Sequence, residues 1–172
     1  PICLSILESA LLSLRLKSSS VSSRYSEINK SRWKLLEQGL LTRQQVKESR
    51  YEILFAELGV DYSAAEATAY YEDQLSQKGF MFPDTIKLLE TLHGRYRMYI
   101  VSNGGSNVQS GRLADSGIGK YFEDIFISED AGAEKPSREF FDYCFGRRPE
   151  IKADETVIIG DSLTSDIQGG IN

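Results

Sequence analysis

Three short apolar runs in this sequence end in residues able to handle an anion or a metal ion. Met98-Tyr99-Ile100-Val101 is stopped by Ser102-Asn103-Gly104-Gly105. Ile125-Phe126-Ile127 leads, through a loop holding Glu129, Asp130 and Glu134, to Lys135-Pro136. Val157-Ile158-Ile159 runs into Gly160-Asp161-Ser162-Leu163-Thr164-Ser165-Asp166. The first ending offers a hydroxyl, an amide and a flexible backbone, whose N–H groups at a helix start suit an anionic oxygen. The lysine of the second could neutralise a phosphoryl group or keep a carboxylate nucleophile ionised. Asp161 and Asp166, separated by a turn into a helix, suit a hard divalent cation. Magnesium takes few protein carboxylates and leaves its other positions to water or phosphate oxygens. Each ending also has an ordinary reading: a plain turn, a solvated lysine, a helix N-cap. Their order changes the weight, since Ser102, Lys135 and Asp161 each follow a predicted strand or its loop.

The elements that would carry these endings read as strands alternating with helices, all the strands short and apolar. That pattern marks a parallel sheet covered on both faces, and in such sheets ligands sit beyond the carboxyl ends of the strands. Pro83 and Asp84 open a helix carrying Ile86, Leu88, Leu89 and Leu92, ended by Gly94. A polar helix is expected to about Ser116, and a further one over Ser137–Phe145 with Phe140, Phe141, Cys144 and Phe145 inward. Before this half, from Tyr25 to about Gln77, the pattern is helical throughout. Thr42 with Gln45, and Ser63 with Glu66, read as capping boxes, while Gly39 and Gly59 fall where helices should stop. The expected organisation is an atypical Leu/Ser-rich segment over 1–23, a helical domain over 24–80, and an α/β domain over 81–172. Within the first segment a weak helix over Leu7–Leu16 is expected.

The chain has 172 residues, a formal net charge of −5 and a sequence pI near 5.0. This balance argues against a surface built to neutralise nucleic-acid phosphates. It leaves room for a small anionic substrate, because a bound cation and one lysine can reverse the field locally. Cys3 and Cys144 form no close-spaced pair, which points to a reduced, cytoplasmic setting with Cys144 in the core. No stretch approaches the ~20 apolar residues that cross a bilayer. The opening Ile2–Leu7 run lacks the basic start and small-residue cleavage pattern of a signal peptide. His93, near a helix end, reads as structural. Trp33 and the aromatic group Tyr70, Tyr71, Phe80 and Phe82 read as packing rather than a base-stacking platform, and the acidic loop Glu129-Asp130 reads as solvated.

Taken together, Val101-Ser102-Asn103-Gly104, Lys135-Pro136 and Gly160-Asp161-Ser162-Leu163-Thr164-Ser165-Asp166 resemble the second, third and fourth motifs of the haloacid dehalogenase-type (HAD) phosphatases. The resemblance spans roughly Ser26 to Asn172. It implies a Rossmann-like α/β core with an inserted helical cap, and a magnesium-dependent phosphomonoesterase working through an aspartyl-phosphate. Carried onto this chain it gives Ser102 and Lys135 as catalytic residues, and Ser102, Asn103 and Gly104 as the phosphate cradle. Asp161 would bind magnesium, with Asp166 as a further ligand or a group behind it. Asn29-Lys30-Ser31-Arg32-Trp33, Gly39-Leu40-Leu41-Thr42, Ile127-Ser128-Glu129 and the run from Asp166 to Asn172 are similar to the YjjG-type pyrimidine nucleotidases. That likeness implies a small phosphorylated metabolite, a nucleoside monophosphate, as substrate.

The departure is at the front. The family's nucleophile comes from an Asp-x-Asp motif ending the first, central strand. Here nothing in residues 1–24 matches it, and no aspartate precedes Asp61. The expectation is an incomplete or frame-shifted gene start and an incomplete sheet. Two rivals follow: a catalytically silent HAD-like binding protein, and a haloacid dehalogenase, which needs no metal and lacks the acidic pair in this form.

Overall fold

A computed structural model describes residues 18–172, with side chains from Val21 onward. Cys3 and the weak helix expected over Leu7–Leu16 lie outside the described residues. The chain divides into two compact units, Pro1–Gln77 and Lys78–Asn172.

The first unit is built from helices α1 (Ser18–Glu37), α2 (Arg43–Leu58) and α3 (Ala64–Ser76). Residues 18–23, set apart by composition, belong to α1. Thr42 and Gln45 close a reciprocal capping box at the start of α2, with the Gln45 side chain accepting from the Thr42 N–H at 2.8 Å. Ser63 caps α3 by accepting from the Glu66 N–H at 3.2 Å. Gly59 ends α2 at φ 63°, a left-handed conformation that glycine adopts without strain. Val21, Tyr25, Ile28, Tyr51, Leu54, Phe55 and Tyr71 form the core. Arg50 is buried among them, 5.8, 5.1 and 4.9 Å from the ring centres of Tyr25, Tyr51 and Tyr71. Its guanidinium donates to the Asn29 side chain at 3.1 Å and the Lys47 carbonyl at 3.2 Å. Hydrogen bonds and ring faces together offset the cost of desolvating that charge.

The second unit contains α4 (Thr85–Leu92), β1 (Tyr99–Ser102), α5 (Ser106–Ser116), β2 (Asp124–Ile127), α6 (Ser128–Ala131) and α7 (Arg138–Arg147). A short π-type turn (Leu163–Ile167) and α8 (Gln168–Ile171) close it. Strands β1 and β2 pair in parallel from Tyr99↔Asp124 to Ser102↔Ile127, so both deliver their following residues at one sheet end. The expected parallel α/β architecture is present, and the sheet is incomplete. Phe126, Phe140 and Cys144 are its buried centre, and burial pushes the Cys144 thiol up to about 12. Gly79 lies against the end of α5, its N–H donating to Asp115 at 2.8 Å, and a Cβ there would stand 2.2 Å from the Arg112 carbonyl oxygen.

Val157-Ile158-Ile159, expected as a strand, is not one. It pairs with no strand among the described residues, and Val157 and Ile159 are 83% and 88% exposed. Apolar content supplies the tendency, but a strand exists only where a neighbouring backbone completes the ladder. Similarly, Tyr71 packs in the helical core, whereas Phe80 and Phe82 are 57% and 87% exposed.

Asp124 ties the start of β2 to the end of α7. Arg148 donates to its carboxylate at 2.8 Å and Arg147 stands 3.7 Å away. Burial alone would raise this carboxyl, but the Arg148 bond, the Ile125 N–H and the charge of Arg147 outweigh it and hold it below the usual range. A carboxyl depressed in the folded state adds stability above its unfolded pKa of about 3.9 and loses it as pH falls through the lower folded value. Replacing Arg148 by Met is therefore expected to lower Tm by about 2–4 °C near neutrality. Variant and wild-type melting curves should converge at strongly acid pH; an offset independent of pH would show that the pair does not act through charge.

Candidate active site

The sequence of β1 places Ser102 at its last position because Tyr99, Ile100 and Val101 supply the ladder and Ser102 faces the loop that opens α5. The Ser102 hydroxyl is half-buried and has no protein partner among the described residues. Gly104 and Gly105 follow, and α5 begins at Ser106, whose N–H donates to Glu129 at 2.7 Å and whose hydroxyl donates to Asp130 at 2.5 Å. The acidic loop expected to be merely solvated thus caps α5.

Lys135 is 6% exposed, not a surface lysine. Its ammonium donates to the Val101 carbonyl at 2.9 Å and to Asp166 Oδ1 at 2.5 Å. A lysine carries three N–H donors, and the third has no protein partner among the described residues. The Asn103 side chain turns to the Lys135 main chain. Its amide donates to the Lys135 carbonyl and its oxygen accepts from the Lys135 N–H, both at 2.8 Å.

Asp166 lies on the π-type turn, a geometry often found at functional sites, and is 7% exposed. Its second oxygen accepts from the Ser162 N–H at 3.1 Å. Gly160 makes room for it: a Cβ on Gly160 would stand 2.2 Å from both Cγ and Oδ2 of Asp166. Asp161, between these two contacts, is exposed and unpaired among the described residues. The lysine therefore bonds the residue preceding Ser102 and a carboxylate packed against both neighbours of Asp161. Ser102, Lys135 and the Asp161 loop share one neighbourhood.

Sequence reasoning named Ser102, which ends β1; Asn103 and Gly104, in the loop after it; Lys135, in the loop after α6; and Asp161 and Asp166, before and within the π-type turn. It missed that the Asn103 amide is spent on the Lys135 backbone, that the Val101 carbonyl holds the ammonium, and that Asp166 is the lysine's partner. The glycine directly before Asp161 was the available signal, since a position that cannot bear a side chain implies a close neighbour. As for magnesium, no group of three or more His, Cys, Asp or Glu side chains gathers among the described residues. No helix among them is long and apolar enough to cross a membrane.

Comparison with known proteins bears on this arrangement. Residues 15–172 match the model of the haloacid dehalogenase-like hydrolases, and the chain belongs to that family. It is 39% identical over 150 residues to a protein called a HAD-hydrolase, YfnB of Bacillus subtilis, covering 87% of this chain and 64% of that protein. It is 36% identical over 149 residues to the pyrimidine 5'-nucleotidase PynA of Streptococcus pneumoniae, covering 86% of this chain and 63% of PynA. With the pyrimidine 5'-nucleotidase YjjG of Escherichia coli the identity is 29% over 148 residues, covering 86% of this chain and 65% of YjjG. This chain thus matches somewhat under two thirds of the length of these relatives. A crystal structure of YfnB, described as bound to magnesium and as revealing interdomain movement, superposes with a TM-score of 0.93 at 35% identity, covering 99% of this chain and 77% of that one.

Gly160→Ala should push Asp166 off Lys135 and leave a buried ammonium without its counter-charge, destabilising the α/β unit by about 3 kcal/mol or more. Gly146→Ala, where nothing lies within 4 Å of the added carbon, is the control; it should be neutral or slightly stabilising in helix α7. Urea unfolding of both variants checks the difference, and equal midpoints would show that Gly160 does not make room for the pair.

Proposed function

We propose that this chain is the larger part of a magnesium-dependent phosphomonoester hydrolase of the HAD family, acting through an aspartyl-phosphate on a nucleoside 5'-monophosphate. The observation that carries the reading is Lys135: a buried ammonium held at the β1 end, with one donor left over among the described residues. Next along the chain from its Val101 acceptor is Ser102, whose hydroxyl is also without a partner among them. A dianionic phosphate near carboxylates needs such compensation. At ~4 Å and an effective dielectric of ~20, one opposite charge contributes on the order of 4 kcal/mol before desolvation.

In this reading the Ser102 hydroxyl and the backbone N–H groups around Asn103 and Gly104 hold phosphoryl oxygens. Lys135 balances the charge on the transferring group. Magnesium binds through few carboxylates, with water and phosphate completing its shell. Asp161, exposed and without a partner among the described residues, has the chemistry of a direct ligand. Asp166, committed to Lys135 and the Ser162 N–H, fits better as the group that holds the loop. Bound there, the ion would add the charge that favours the transition state. The helical unit is read as the family's cap, which selects the substrate. Support for a nucleotide comes from the likeness to PynA and YjjG, although the match also extends, over 51% of the chain, to a glyceraldehyde 3-phosphate phosphatase of Methanocaldococcus jannaschii.

A second reading, a phosphate-binding protein without turnover, uses the same cradle, in which the carboxylate bonded to Lys135 among the described residues is Asp166. A chimera in which this chain replaces the matching segment of YfnB separates the two. It should hydrolyse pyrimidine nucleoside monophosphates with magnesium, and Lys135→Met or Asp161→Asn should each cut kcat by about a hundredfold or more. No turnover on any nucleotide, sugar phosphate or triose phosphate would favour the binding protein. A preference for sugar phosphates would remove the nucleotide while keeping the phosphatase.

A further inference from the structure

We propose that Asn103 is a positioning residue for Lys135. Its amide forms a two-way bridge with the Lys135 backbone, donating to the carbonyl and accepting from the N–H, each at 2.8 Å. This is the pattern one strand residue makes with its neighbour in a ladder, supplied in this case by a side chain beyond the end of β1. It fixes the Lys135 main chain to the same strand end whose carbonyl, at Val101, receives the ammonium at 2.9 Å. Lys135 is thereby gripped at both ends, main chain and side chain, by consecutive parts of β1 and its loop. A long aliphatic stem gripped only at its tip would leave the ammonium several rotamers; the second grip removes them. The bridge uses the Asn103 amide oxygen and one of its two N–H donors. The catalytic role of Lys135 itself rests on the phosphatase reading, whereas the bridge does not.

The bridge has a readout independent of turnover. In the wild-type chain, acetic anhydride should modify Lys135 slowly, and the Lys135 amide should exchange slowly with deuterium. The partly exposed Lys152, 64% exposed at its side chain, serves as internal reference. Asn103→Ala removes both bonds and should raise both rates about tenfold relative to Lys152. Asn103→Asp keeps the acceptor and loses the donor, so it should fall between wild type and Asn103→Ala. If Asn103→Ala does not fold, Asn103→Asp decides: rates raised above wild type support the bridge, and rates equal to wild type in both readouts overturn it. Inorganic phosphate should slow acetylation of Lys135 in the wild-type chain. A failure of phosphate protection with the variant rates as expected would count against the phosphate site alone, and leave the bridge standing.

Discussion

An ammonium withdrawn from water must replace the hydrogen bonds it loses, and in this protein that need organises the α/β unit. Lys135 meets it with the Val101 carbonyl and the Asp166 carboxylate. Such a pair is expensive: desolvation costs several kcal/mol per ion, offset only when geometry is good and the remaining oxygens and protons find partners. Those partners are present. The Ser162 N–H serves the second oxygen of Asp166, and Asn103 secures the lysine main chain. Gly160 contributes by lacking a side chain, since any Cβ would occupy the space of the Asp166 carboxylate. One charge thus dictates residue types in two other segments of the chain, at Asn103 and at Gly160 and Asp166.

That economy explains which parts of the molecule are legible in the sequence. Short apolar runs, each ending in Ser102, the Lys135 loop or Asp161, announce a parallel sheet and the end at which its chemistry lies, because strand period and turn chemistry are local properties. The capping box of Thr42 and Gln45 is legible for the same reason. The partners within the site are not. Asp161 and Asp166 are near neighbours in sequence, and nothing local says which faces a lysine; the tight turn from Leu163 to Ile167 buries one and leaves the other in solvent. Asn103 after an apolar run reads equally well as an anion donor or a turn former. Its true use depends on Lys135, far along the chain.

Two expectations failed where the outcome depends on distant partners. Val157-Ile158-Ile159 has strand composition, but composition cannot provide the neighbouring backbone that a ladder requires, and the run stands largely exposed. The acidic pair Glu129 and Asp130 looks like solvated charge, yet it receives the first N–H and hydroxyl of α5. In the helical unit, Arg50 falls at an apolar-face position among tyrosines. Periodicity alone would assign a hydrophobe there, and the ring faces and Asn29 are what make a guanidinium acceptable.

The central claim, that Lys135 and Asp166 act as one unit joining the strand ends, is tested most directly by a double-mutant cycle in unfolding free energy. Lys135→Met and Asp166→Leu alone should each cost about 3–5 kcal/mol, because each strands a buried charge. The double variant should regain most of the loss, giving a coupling of about 2 kcal/mol or more. Additive losses in the double variant would mean that the two groups do not depend on each other, and would contradict the account.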